Sequence, residues 1–231
     1  VGYTTAGTRV TLITYVAGQD RRFVHAVGAN AEFAGESVTR ELVGRSRVVY
    51  LGGYFLCDTL TPEKVIRVFK MAREAGVPTV LDVVVPKPAE YWSRLEPVLP
   101  YTDYFLPNDD EAAAITGESD PLRQATRFLE AGVGTAVVTC GMKGSILVSG
   151  ETRIRAAAYP VDFVDGTGSG DAFVAGFVHG LLDKADPADC LRRGSALGAS
   201  CVRATGASTG VFRVDELADF VSQQTLAVES L

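Results

Sequence analysis

Four short runs in this sequence are apolar at successive positions, and their spacing limits what the chain can fold into. They are residues 47–52 (RVVYLG), 77–85 (VPTVLDVVV), 103–106 (DYFL) and 135–139 (TAVVT). A strand with one wet face alternates apolar and polar side chains, whereas a strand apolar at both parities must be covered on both faces. The segments between these runs carry helical signals. Thr61 and Pro62 stand where an N-cap and a first helical residue belong. Val65, Ile66, Phe69 and Ala72 supply one buried stripe, and Gly76 ends it. Helices are also expected over 109–115 and 121–131. This order predicts an α/β fold: a mostly parallel, doubly wound sheet with helices on both faces.

Other elements are legible around that frame. Residues 10–16 and 22–27 read as a β hairpin turning at Gly18-Gln19-Asp20, a small lid standing apart from the main sheet. Residues 145–149 and 152–155 read as an antiparallel pair about Gly150-Glu151, and 161–164 as a last strand. Helices over 170–182, 187–204 and 214–224 finish the chain. Residues 1–30 are therefore expected to form a partial lid and 31–231 the α/β domain.

Composition excludes several function classes. The chain has 231 residues, 47% of them hydrophobic, and a net charge of −6. No Lys/Arg cluster is present to displace the counterions of a nucleic acid, and an anionic membrane surface would repel the chain. No apolar run approaches membrane-spanning length. Cys57, Cys140, Cys190 and Cys201 are far apart among apolar neighbours, and His25 and His179 lack partners at metal-ligand spacing. Buried thiols in a reducing, cytoplasmic setting are expected, not a zinc site.

The chemistry concentrates in residues 161–178, VDFVDGTGSGDAFVAGFV. An apolar run enters Asp165-Gly166-Thr167-Gly168-Ser169-Gly170-Asp171, and a helix of small and apolar residues leaves it. Three glycines in five residues let backbone N–H groups approach a ligand closely, and they do so at a helix N-terminus, where the dipole favours an anion. Asp171, in the first turn beside that site, is placed to take a proton from an attacking hydroxyl. No G-x-x-x-x-G-K-[ST] occurs, and the spacing G-x-G-x-G is not that of a dinucleotide loop. A plain strand–helix turn with Asp171 as a helix-start acid is the structural alternative.

DGTGSGDAFVAGF resembles the signature D-T-x-G-A-G-D of the ribokinase-like (pfkB) carbohydrate kinases, with Gly166 where Thr is common. The resemblance implies an ATP-dependent kinase in which Asp171 is the catalytic base and Gly168, Ser169 and Gly170, with the Asp171 amide, form the anion hole. Asn108 and Glu111 match the family's N-x-x-E, which implies water-mediated Mg2+ binding by Glu111; read from residues alone, Asn108 is an N-cap and the acids suit the helix dipole. Thr139, Gly141 and Gly144 match a T-x-G-x-x-G turn that faces the nucleotide. The stretch 196–207, with Ala196 and Ala199, is implied to border the adenine. Asp165 and Thr167, near Arg203 and Gly206, are implied to lie at a monovalent cation (K+) site. Asn30, in Gly28-Ala29-Asn30, matches a turn on the sugar side. Asp82 lies near a strand end, where such sheets collect ligand residues, but the family's D-x-N-x-R is broken here as Asp82-Val83-Val84-Val85-Pro86.

The resemblance covers the later part of the family pattern. The strand with a substrate-binding Asp and the G-G-x-x-x-N-x-A segment do not occur before the hairpin. Two functions are therefore expected from this sequence: phosphoryl transfer from ATP to a hydroxyl of a sugar-like molecule, or nucleotide and sugar binding without turnover. A nucleoside acceptor on the same fold is a further alternative. A homodimer paired through the lid is expected, because a small half-exposed sheet needs cover.

Overall fold

A computed structural model describes residues 4–14, 22–86 and 89–231. The hairpin strands are β1 (Val10–Thr14) and β2 (Arg22–Ala26), antiparallel with Leu12 opposite Val24. The expected turn at 18–20 and the strand end at 15–16 lie outside the described residues. One hairpin face is apolar and open: Val10, Leu12 and Val24 are each about 60% exposed (62%, 59% and 66%).

The main sheet follows. In chain order the elements are α1 (Arg40–Gly44), β3 (Val49–Leu51), α2 (Pro62–Glu74), β4 (Thr79–Leu81), α3 (Trp92–Leu95), β5 (Tyr104–Phe105), α4 (Asp109–Thr116), α5 (Pro121–Glu130) and β6 (Thr135–Thr139). Then come β7 (Ser145–Ser149), β8 (Thr152–Ala156), α6 (Ser169–Leu182), α7 (Pro187–Cys201), α8 (Val214–Gln223) and β9 (Val228–Ser230). Strand order in space equals strand order in the chain, β3 to β9. β3 through β6 pair in parallel, and β7, β8 and β9 are added antiparallel.

Both faces are covered, as the double-parity apolar runs require. Leu81, Phe105, Ala136 and Val138 pack with Phe69 of α2 and Phe128 of α5. Their neighbours Val80, Leu106 and Val137 point the other way and pack with Phe173 and Phe177 of α6 and Leu191 of α7. α6 and α7 touch backbone to backbone: a Cβ at Gly176 would lie 2.3 Å from the Arg193 carbonyl oxygen.

Three expectations need correction. Residues 161–164 form no strand; Phe163 and Val164 are largely exposed, and the segment is held by Val164 N–H donating to Val202 O at 2.8 Å. The edge of β8 is taken instead by β9, from the far end of the chain, which carries no strand signal beyond three residues. Thr61 sits at the N-cap of α2, but its hydroxyl donates to Glu63 at 2.6 Å and caps nothing. Observed strands are also shorter than the apolar runs: only Thr79–Leu81 of 77–85 is paired. Among the described residues no helix is long and apolar enough to cross a membrane.

Candidate active site

The glycine loop lies between the end of β8 and α6. Gly168 is the N-cap, in the left-handed region at φ 80°, and a Cβ there would lie 2.5 Å from the Ala207 carbonyl oxygen. Only glycine lets the loop press so closely against the 204–210 turn. Asp165 fixes that contact. Its Oδ1 accepts from Thr167 N–H (2.9 Å) and Thr167 Oγ1 (2.7 Å), and its Oδ2 accepts from Gly206 N–H at 3.0 Å. Cys201 adds a thiol under the loop, 3.3 Å from Thr167 O and 3.4 Å from Ala207 O.

A helix N-terminus always leaves N–H groups without helical partners. Here Ser169 N–H donates to Gly166 O at 3.2 Å, so the serine amide is not available to an anion. The N–H groups of Gly168, Gly170 and Asp171 take no acceptor among the described residues. Asp171 itself is exposed, and its carboxylate makes no hydrogen bond among them. Unfilled donors beside a free carboxylate fit a phosphate and the hydroxyl that would attack it.

α4 brings the second group. Glu111 N–H donates to Asn108 Oδ1 (2.8 Å) and Asn108 N–H donates to Glu111 Oε2 (3.0 Å), a capping box. Glu111 thus has a structural task that keeps Oε1 for another partner. Asn108 also forms a parallel bridge to Thr139, whose N–H donates to Pro107 O at 3.0 Å. The strand end carrying Thr139 is therefore brought beside the Asn108–Glu111 cap. The turn after it is a 3₁₀ turn with Gly141 at φ 55° and Gly144 at φ 91°.

Asp82, at the end of β4, joins this group. Its carboxyl is pushed up to about 8, by burial first and then by the charge of Glu111, with Asp171 adding to it. Glu111 is pushed up to about 7, again by burial first, with Asp110 and Asp171 adding. Like charges converging, with no ion-pair partner for Asp82, Glu111 or Asp171 among the described residues, suit a hydrated divalent cation. No set of three or more His, Cys, Asp or Glu side chains could chelate a metal directly among the described residues.

Other expected residues separate. Ala196 is fully buried against the sheet and cannot touch a nucleotide from there; Ala199 is half-buried on the same helix. Asn30 is half-buried in a short 3₁₀ turn, Gly28–Ala31, which rests on Gly7 through Ala29 N–H (2.9 Å to Gly7 O). Nothing among the described residues joins it to Asp171. Conversely, Tyr50 donates to Asp82 Oδ2 at 3.2 Å, a pairing 32 residues apart in the chain that no local motif announces.

A family model described as pfkB family carbohydrate kinase matches residues 3–212. A ribokinase of Haemophilus influenzae is 29% identical over 222 residues, covering 93% of this chain and 69% of its own. A ribokinase of Arabidopsis thaliana, solved with ribose and ATP, superposes with a TM-score of 0.79 at 24% identity, covering 94% of this chain and 70% of that one. An Escherichia coli protein assigned as a ribokinase II, solved with ATP and Mg2+, superposes with a TM-score of 0.82 at 24% identity, covering 95% and 72%. At these identities the two structures show a common fold. The chain spans 30% to 61% of the length of the first curated relatives it matches.

Proposed function

Since this chain belongs to the pfkB family of carbohydrate kinases, we propose that it carries the phosphoryl-transfer half of an enzyme that moves the γ-phosphoryl of ATP to a hydroxyl of a sugar-like molecule. The observation that carries this reading is the pairing at the head of α6: three amides without acceptors among the described residues and, next to them, the Asp171 carboxylate, unengaged by any of those residues.

Asp171 accepts the proton of the attacking hydroxyl. The amides of Gly168, Gly170 and Asp171 hold the charge that spreads over the phosphoryl oxygens, and the positive end of α6 supports them. Ser169 holds the loop in shape through Gly166. Thr139, Gly141 and Gly144 border the nucleotide. Asn108 and Glu111, with Asp82 close by, would hold hydrated Mg2+, which when bound neutralises phosphate charge. K+ would bind where Asp165 and Thr167 meet the 203–206 turn. The open Val10–Leu12–Val24 face supports a homodimer in which a second copy's hairpin covers it.

Asp171→Asn in the complete protein tests the reading. ATP-dependent phosphorylation across ribose, fructose, 2-keto-3-deoxygluconate and adenosine is expected to fall by about 10²–10⁴-fold, while ATP affinity by calorimetry stays within a few-fold. Near-normal turnover in this variant would overturn the assignment. ATP binding by the unaltered protein without any phosphorylated product would favour the alternative, a nucleotide-binding protein without turnover.

A further inference from the structure

Tyr50 lies on β3, the edge strand of the sheet as described, yet its polar end is engaged. Side chains alternate along a strand. Val49 and Leu51 pack on the α2 side and Val48 on the α6 side. Tyr50 therefore shares the α6 face with Val48, and Asp82 shares it with Val80. The two residues stand side by side at the carboxyl ends of β3 and β4, where Asp82 N–H donates to Leu51 O at 2.9 Å.

Their side chains close on each other. The Tyr50 hydroxyl donates to Asp82 Oδ2 at 3.2 Å, and Val83 N–H donates to Oδ1 at 2.8 Å. The phenol folds back over Gly52 to make this contact: a Cβ on Gly52 would lie 2.5 Å from the Tyr50 hydroxyl. Burial, with the charges of Asp82 and Asp171, pushes the phenol well above its ordinary range, so the O–H keeps its proton. Even so, Tyr50 remains 43% exposed, and part of its ring faces open space.

Position along the sheet decides which ligand this pair meets. The Thr139–Gly144 turn follows β6, three strands from β3, roughly 14 Å away at the usual strand spacing. Both side chains lie on the sheet face that α6 covers, and Asp171 stands in the first turn of α6. Tyr50 thus stands on the Asp171 side of the sheet and three strands from the turn assigned to the nucleotide, while Asp82, one strand nearer, lies between it and the Asn108–Glu111 cap.

We propose that Tyr50 and Asp82 form one wall of the acceptor subsite, where the phenol ring packs on the C–H face of a polyhydroxylated acceptor and the Tyr50 hydroxyl and Asp82 carboxyl exchange hydrogen bonds with a hydroxyl neighbouring the one that is phosphorylated. This inference rests on the kinase reading above. It makes Tyr50 a specificity residue: a site built to bond a hydroxyl rejects the analogue that lacks it.

The experiment is steady-state kinetics on the complete protein and its Tyr50→Phe variant. The acceptor is whichever of ribose, fructose, 2-keto-3-deoxygluconate and adenosine the unaltered protein phosphorylates fastest, together with its mono-deoxy analogues. Tyr50→Phe is expected to raise the acceptor KM about 10-fold and leave the ATP KM unchanged. Discrimination against one deoxy analogue should shrink by a similar factor. Asp82→Asn, which keeps an acceptor for Tyr50, is expected to shift the same ratio in the same direction; it also serves if Tyr50→Phe fails to fold. Turnover that falls equally for acceptor and analogues, with the ratio intact in both variants, would show a purely structural pair and overturn the proposal. If the unaltered protein phosphorylates no acceptor, the kinase reading fails and takes this inference with it. Normal turnover with unchanged discrimination overturns this inference alone.

Discussion

Asp165 and Gly206 are 41 residues apart, and the carboxylate of one accepts the backbone N–H of the other at 3.0 Å. Because the same carboxylate also holds Thr167 by two bonds, one side chain fixes the glycine loop and the turn after α7 against each other. Hydrogen bonds to a charged group are worth about 1.5–3 kcal/mol each and are not additive within a network. Asp165→Ala is therefore expected to lower unfolding stability by about 2–4 kcal/mol, and Asp165→Asn, which keeps one acceptor oxygen, by less. Urea denaturation measures both. A loss under about 1 kcal/mol for the alanine variant would show that the loop is held by Gly168 packing instead.

Two left-handed glycines make a matched comparison. Gly144 has φ 91°, and a Cβ on it would lie 1.9 Å from the Ala156 carbonyl oxygen, a backbone atom held in the β7–β8 ladder. Gly117, the C-cap residue of α4, has φ 75° and nothing within 4 Å of the same position. Gly117→Ala carries backbone strain alone, about 1–2 kcal/mol. Gly144→Ala carries strain plus a backbone collision and is expected to cost at least about 2 kcal/mol more. Thermal denaturation of the two variants side by side gives the answer, and equal losses would contradict the close approach at Gly144.

Asp82 sets a pH dependence whose sign follows from its environment. Its carboxyl titrates near 8 in the folded protein and near its ordinary 3.8 when unfolded. Between those values the folded state binds more protons than the unfolded one, so stability falls as pH rises. Glu111, pushed up to about 7, acts in the same direction over a narrower window. In EDTA, the urea midpoint should decline from pH 5 to pH 8, and Asp82→Asn should flatten the decline. A midpoint that is constant or rises over this range in the unaltered protein would exclude a protonated Asp82.

What the sequence made legible is what depends on neighbours in the chain. The α4 cap at Asn108 and Glu111, the Pro62 start of α2 and the glycine loop at the head of α6 are all local, and each stands where the residues place it. The parity of the apolar runs also carried the two-sided cover of the sheet. Pairings between distant segments left no trace. Tyr50 needs Asp82, and β9 needs the edge of β8; neither requirement can be read from the residues themselves. Residues 161–164 show the opposite failure. An apolar run before a glycine loop reads as a strand, but with β9 on the β8 edge the segment crosses outside the sheet and hangs from Val202. Ala196 illustrates a third limit: a run of small residues marks close packing and does not say against what.

The sheet places each strand beside the one that precedes it in the chain, from β3 to β8. Such a sheet can assemble by successive local additions, each closing only the loop or helix just synthesised, and loops that short are inexpensive in entropy. β9 breaks the rule. Its partner β8 ends at Ala156, and α6, α7 and α8 must all be traversed before Val228 can pair with it. The contact that completes the sheet thus closes a loop containing α6, α7 and the glycine loop at the head of α6, and the entropy of that closure is borne by one three-residue strand.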